Sequence, residues 1–454
     1  MPVVVRGLAA ESGWNLLDNS VPCDITAASY SCCVKIGSGC LDTGSLFLYL
    51  SSAATILQMF VLIGFGALSD YGEKRKRWMI IFSILSCFCG LAFVLVLKAA
   101  LFWIAGLLFI AGSVLFVGSY LFFFAYIPVL TRAHPDYLSL STTVGADVAY
   151  DRTANRISST AVAFGYGGTL VTLAIGSAII YLLGSNPAMP TSTYPSQIVV
   201  AFSSVWWLGF LWFPAAWLKS RPGPCLPAEV NPLTYSFKKV GKTLRKAARD
   251  ERHIIFFLLG WVLYADAFNT LLSVALLIAQ EELGASQLEL VGIALTIFVA
   301  GIVGLKAFPW IQNLTKRSTK PILIAQASLY ALLTLYGVFF LKHKWEIWVC
   351  AVWHGLLIGA TQSSCRVWYS QMIPPGQEAE YFSMMTITDK GSSAIGPLIV
   401  GAIIQGTGYR RNSLWFLLGS FIVAGALFFS VQHVSSEDER AEQVESPKSA
   451  AMKG

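Results

Sequence analysis

Gly66-Ala67-Leu68-Ser69-Asp70-Tyr71-Gly72-Glu73-Lys74-Arg75-Lys76-Arg77 joins two apolar runs, 45–69 and 78–97. A bilayer core of roughly 30 Å needs about 20 apolar residues per helix, so each run is long enough to cross it. Four consecutive basic residues resist translocation and assign the loop to the cytosolic face. They do not account for Gly66, Asp70 and Gly72. A carboxylate at Asp70, with Arg75 among the cations beside it, can pair with helix termini across a seam between neighbouring spans and hold that side closed.

Working outward, nine further apolar runs emerge: 101–131, 157–184, 197–218, 254–279, 288–311, 321–341, 347–372, 382–405 and 412–431. The composition agrees. Of 454 residues 55% are hydrophobic and 13% charged, about half the charged share of soluble domains. The fold class is therefore an all-α polytopic membrane protein. With the 66–77 loop in the cytosol, cytosolic segments hold 22 Lys and Arg and the opposite face 7. The N-terminus is then on the non-cytosolic side and the C-terminus in the cytosol. A net charge of +7, dispersed along the chain, leaves no nucleic-acid footprint. Cys23, Cys32, Cys33 and Cys40 cluster before the first run, on the non-cytosolic side, where a disulfide is plausible.

The segment 219–253, with Pro222, Pro224, Pro227 and Pro232 and a basic second half, divides the runs into five and six. The expected organisation is a lumenal segment 1–44, an N-terminal bundle 45–218, the cytosolic linker 219–253, a C-terminal bundle 254–431 and a disordered tail 432–454. Paired six-helix bundles joined by such a linker resemble the major facilitator transporters. Gly66 to Arg77 resembles their loop signature, which in that superfamily follows the second helix. Here it follows the first, so the expectation is that the chain lacks an opening helix, leaving about 11 of twelve.

Ionisable groups inside a span are costly and mark function unless they brace the bundle. In 254–279, Asp266, Asn269, Thr270 and Ser273 recur at offsets of three, four and seven and form one polar face. Asp266 lies near the midplane, able to accept a substrate ammonium or carry a proton. In 347–372, Gln362, Arg366 and Ser370 recur every four residues, and in 382–405 Thr386, Asp389, Ser393 and Gly396 recur every three or four. Arg366 and Asp389 sit roughly 10 Å from the cytosolic end of antiparallel spans. They can pair, as a permanent brace or as a gate. Tyr166 is a core residue or a cavity-lining phenol. His354 reads as a satisfied core histidine or a pH sensor, and Gly355 with Gly359 as a helix-contact motif.

Other signals fail. Gly241-Lys242-Thr243 imitates the end of a phosphate loop, but Ser236 stands where the first Gly belongs. Neither zinc-ligand spacing nor a nucleophile elbow is present. The acid pairs Glu281-Glu282 and Glu378 with Glu380 read as loop residues. No enzyme, metal or cofactor is expected, and transport must draw on a solute or ion gradient.

Gln362 to Ser370, Ile373-Pro374-Pro375-Gly376, Glu378 to Phe382, and Asp389-Lys390-Gly391-Ser392-Ser393-Ala394-Ile395-Gly396-Pro397 resemble the fungal autophagy-related vacuolar effluxers, a branch of the major facilitators. Asn155-Arg156-Ile157-Ser158, Gly165-Tyr166 and Tyr264-x-Asp266 resemble that family too, although Ala267 stands where Gly is expected. The resemblance implies a vacuolar membrane protein exporting amino acids, particularly large neutral ones, to the cytosol after autophagic breakdown. Its partners are then amino acids and the bilayer, with protons as an optional coupling ion. The expected binding or coupling residues are Asp266, Asn269, Thr270, Tyr166, Gln362 and Arg366; the gating set is Asp70, Arg75, Arg366 and Asp389. The alternatives are a non-transporting receptor or scaffold and a carrier of sugar or peptide.

Overall fold

The computed structural model describes residues 1–15, 21–23, 32–36, 39–66, 71, 74–183, 191–220, 232–249, 252–283, 285, 287–374, 377–392, 395–407 and 409–431. Asp70 and the tail from 432 lie outside them.

The chain opens with helix α1 (Pro2–Glu11), then strands β1 (Trp14–Asn15), β2 (Cys32–Ile36) and β3 (Gly39–Asp42). The strands form an antiparallel sheet in the order β1-β2-β3, with Cys33 opposite Asp42 and Lys35 opposite Cys40. All four clustered cysteines are bridged, Cys23 to Cys32 and Cys33 to Cys40. Val4, Val5 and Leu8 of α1 are buried with Ala54, Phe93, Val96 and Phe109.

The remaining helices follow the apolar runs: α2 (Thr43–Gly66), α3 (Lys74–Ala92), α4 (Phe102–Arg132), the short α5 (Pro135–Val144), α6 (Ala146–Leu183), α7 (Tyr194–Trp217) and the linker helix α8 (Pro232–Arg249). After it come α9 (Arg252–Glu281), α10 (Gln287–Thr315), α11 (Thr319–Phe339), α12 (Lys344–Gln371), α13 (Glu378–Ser392), α14 (Ile395–Thr407) and α15 (Asn412–Ser430). Among the described residues, nine helices are long and apolar enough to cross a membrane. α12 is 28 residues long but more polar. Of the run 382–405, α13 covers the part up to Ser392 and α14 the part from Ile395. Glu378 and Glu380 are corrected from loop to helix: both are buried in the first turn of α13, where acids favour the helix N-terminus.

Packing divides the chain into two units, 1–123 with 171–238, and 124–170 with 239–454. The first holds α1 to α3, the sheet and α7. Here the rings of Phe65, Trp78, Phe82 and Phe122 pack edge to face or stacked, and Ser83 and Ser119 share a buried hydrogen bond of 2.5 Å. In the second unit α10 and α12 cross closely. A β-carbon built on Gly355 would stand 2.5 Å from the Ile297 carbonyl oxygen, so that contact requires glycine. The buried aromatic column of this unit runs through Phe257, Tyr264, Tyr330, Phe421 and Phe428.

Candidate functional site

Within the second unit, Tyr264 of α9 and Thr361 of α12 share a hydrogen bond of 3.2 Å. The Phe257 ring stacks on Tyr369 at 5.1 Å. Seven residues forward on α9 correspond to eight back on α12, so the two helices run antiparallel in fixed register. From the Tyr264–Thr361 level, Asp266 lies roughly 3 Å along one way and Gln362 roughly 1.5 Å the other, at 1.5 Å rise per residue.

Arg366 is only 7% exposed. Its Nη2 donates to Gln362 Oε1 at 3.4 Å, and its guanidinium lies 4.0 Å from the centroid of the Phe124 ring on α4. The Phe124 ring is also 6.3 Å from Phe382 on α13. A cation over an aromatic face recovers part of the solvation lost on burial. Helices α12 and α13 are held in register by the Tyr369 hydroxyl donating to the Tyr381 carbonyl at 2.9 Å. Counting along both helices from there, Asp389 falls near the level of Gln362, the direction in which Arg366 extends.

Asp266 is 7% exposed. Its carboxylate accepts the backbone N–H of Gly396, in the first turn of α14, while Oδ1 meets no hydrogen-bond donor among the described residues. Thr270 is buried against the same glycine, whereas Asn269 and Ser273 are exposed. The expected four-residue face therefore divides into a buried pair and an exposed pair. Tyr166 packs against Phe298, ring centroids 5.6 Å apart, and against Gly301 of α10. Arg75 is buried in the first turn of α3.

His354 departs from the expected satisfied core histidine. It is buried against the Tyr330 ring at 5.6 Å and faces an apolar cavity of about 50 Å³ lined by Leu271, Ile297, Leu333 and Leu414. Neither ring nitrogen has a protein partner among the described residues.

A polar cluster that sequence reasoning missed joins the first turns of α6 to α10, α11 and α12. Asp151 accepts the Thr319 N–H at 3.1 Å and its hydroxyl at 2.6 Å, and Gln371 Nε2 at 2.7 Å. Asn155 Nδ2 donates to Gln312 Oε1 at 2.8 Å and Thr319 Oγ1 at 2.9 Å. Ser363 donates to Ser158 at 2.9 Å, and Tyr150 shares a 3.0 Å hydrogen bond with Ser370. Arg132 at the end of α4 pairs with Glu378 at 3.0 Å, and Lys239 with Glu380 at 2.8 Å. The signal for this cluster was Asp151, Asn155 and Ser158 at offsets of four and seven, on one face of a helix entering the membrane.

The arrangement is buried acid and guanidinium on neighbouring helices, with a dense hydrogen-bonded seam at one end. The structure resembles FucP, a major facilitator superfamily transporter solved in the outward conformation, with a TM-score of 0.62 at 14% identity over 85% of this chain and 90% of that one. The proton:xylose symporter XylE gives 0.61 at 13% identity over 86% and 87%. Autophagy-related protein 22 of Yarrowia lipolytica is 30% identical over 91% of this chain and 80% of its own length. Autophagy-related protein 22-1 of Sclerotinia sclerotiorum is 28% identical over 92% and 82%. The profile of one family, "Vacuole effluxer Atg22 like", matches residues 1–441. A major facilitator fold with that profile along nearly its whole length makes this chain a member of the Atg22-like vacuole effluxer family, a transporter of the vacuolar membrane.

Proposed function

We propose that this transporter carries large neutral amino acids from the vacuole lumen to the cytosol by alternating access of the bundles 45–218 and 254–431 about the linker 219–253. The observation that carries the reading is the pairing of levels on α9 and α12. Asp266 Oδ1, buried and lacking a donor among the described residues, lies roughly 4.5 Å along the helix axes from Gln362, toward which Arg366 points. An α-amino acid carries its ammonium and carboxylate on one carbon, so an acceptor and a donor on neighbouring helix levels can hold both ends. Asp266 receives the ammonium or a coupling proton, Arg366 and Gln362 the carboxylate, and Thr270, Asn269 and Tyr166 line the approach. A neutral side chain fits this reading because the two charged groups are consumed by the substrate's backbone ends.

Arg366 with Asp389, and Asp70 with Arg75, serve as the cytosolic gate, and the bridged cysteines 23, 32, 33 and 40 support a lumenal N-terminal segment. The test is uptake of radiolabelled leucine and tyrosine by proteoliposomes of the purified protein, with unlabelled amino acids, sugars and dipeptides as competitors. Saturable amino-acid flux that excess sugar or dipeptide leaves unchanged, and that falls at least tenfold in Asp266→Asn, is expected. Flux inhibited only by sugar or peptide, or unaltered by that substitution, overturns the assignment.

A further inference from the structure

Helix α8 carries six basic residues and no acidic one in the sequence PLTYSFKKVGKTLRKAAR. It lies between two spans, α7 and α9, and is not itself among the helices able to cross a membrane. A chain that leaves the bilayer through α7 and re-enters through α9 keeps everything between them on one membrane face. α8 is therefore at a membrane surface whichever way the protein is oriented.

Its circumference has three stripes. Ser236, Val240 and Thr243 are buried against the protein. Next to them, one helical repeat apart, Phe237 and Leu244 are exposed apolar side chains. Beyond those come Lys238, Lys242 and Arg245, at offsets of four and seven, all exposed. The depth of the apolar stripe is set by two contacts. The Phe237 ring lies 6.3 Å from Phe60, a residue 56% exposed within the span α2. Two residues before it, the Tyr235 hydroxyl is 2.8 Å from that of Tyr71, which follows α2. Phe60 precedes the end of α2 by six residues, roughly 9 Å. Phe237 is thus held at the boundary between acyl chains and headgroups, with a row of cations beside it. Lys239, on the protein side, pairs with the fully buried Glu380 and does not belong to that row.

The geometry points to α8 as a binding site for anionic phospholipid headgroups: Phe237 and Leu244 enter the acyl boundary while Lys238, Lys242 and Arg245 bind lipid phosphates. Charge complementarity selects the occupant, because a row of cations at the headgroup level with no carboxylate on its helix attracts anionic lipid from the surrounding leaflet. An amphipathic helix of this composition binds in the interface plane through the same two terms.

Hydrogen exchange of the full-length protein in nanodiscs tests this directly. Amides of 236–249 are expected to exchange several-fold more slowly in phosphatidylcholine containing 30% phosphatidylserine than in phosphatidylcholine alone, with the difference lost at 1 M salt. The variant K238Q/K242Q/R245Q should show no dependence on lipid charge, and F237S/L244S a reduced one, while exchange in α9 to α12 stays as in the wild type. Soluble glycerophosphoserine should give no protection. Equal exchange in both lipids, persistence of the effect in the triple variant, or full protection by the soluble headgroup would each overturn the proposal.

Discussion

Asp151 on α6 closes the start of α11 by accepting both the backbone N–H and the hydroxyl of Thr319. The carboxylate acts as an N-terminal cap supplied by another helix, and the Gln371 amide completes its shell. Losing a cap costs about 0.5–2 kcal/mol, and leaving buried donors unpaired adds about 1–3 kcal/mol. Asp151→Ala is therefore expected to lower the thermal midpoint in detergent by several degrees, and Asp151→Asn by less, since the amide oxygen still accepts. Equal midpoints for wild type and Asp151→Ala would refute the capping role.

A side chain at Gly396 would displace the Asp266 and Thr270 side chains. A β-carbon there would stand 2.5 Å from Asp266 Oδ2 and closer still to the Thr270 hydroxyl. Gly396→Ala should push α14 away from α9 and lower transport at least tenfold while leaving expression intact. Thr270→Ala relieves one clash and leaves the other, so the double variant is expected to stay impaired. Normal uptake by Gly396→Ala would mean that α14 moves freely against Asp266.

For the gate, Arg366→Asp and Asp389→Arg should each abolish uptake, because a lone buried charge costs several kcal/mol. The combined charge swap should restore a measurable fraction. The measurement is initial uptake rate normalised to protein in the vesicles; no recovery in the double variant would argue against direct pairing.

Glu346 responds to acid. Its Oε2 accepts the N–H groups of His343 at 2.8 Å and Lys342 at 2.6 Å ahead of α12. These hydrogen bonds, that from His343 foremost, hold the carboxyl below its ordinary value of 4.5. A depressed folded-state value means the contribution is complete above 4.5 and is lost as pH falls through the lower folded value. Glu346→Gln should flatten the acid limb of thermal stability below pH 4.5 and leave the curve near pH 7 parallel to wild type. An unchanged acid limb would show that the capping carboxylate does not titrate there.

The eleven apolar runs were legible because the bilayer demands length and hydropathy, both properties of contiguous sequence. Lys74 to Arg77 and the basic linker were legible for the same reason, since charge per loop needs no knowledge of packing. Asp266 and Arg366 stood out as ionised residues in apolar surroundings, and the structure describes both as buried. What each one touches was not legible: Gly396 is 130 positions from Asp266, and Phe124 lies 242 positions before Arg366.

The sequence by itself determined that this chain is helical, crosses a membrane many times and belongs with the vacuole effluxers, because span length, charge bias and family motifs are local. Only the tertiary structure decided that Glu378 and Glu380 are buried ion-pair partners, that His354 faces an apolar cavity, and that Asp151 caps α11. Those outcomes depend on which polar groups meet after distant helices pack. A buried donor or acceptor takes whatever partner the packing brings within about 3 Å, and sequence spacing does not encode that encounter.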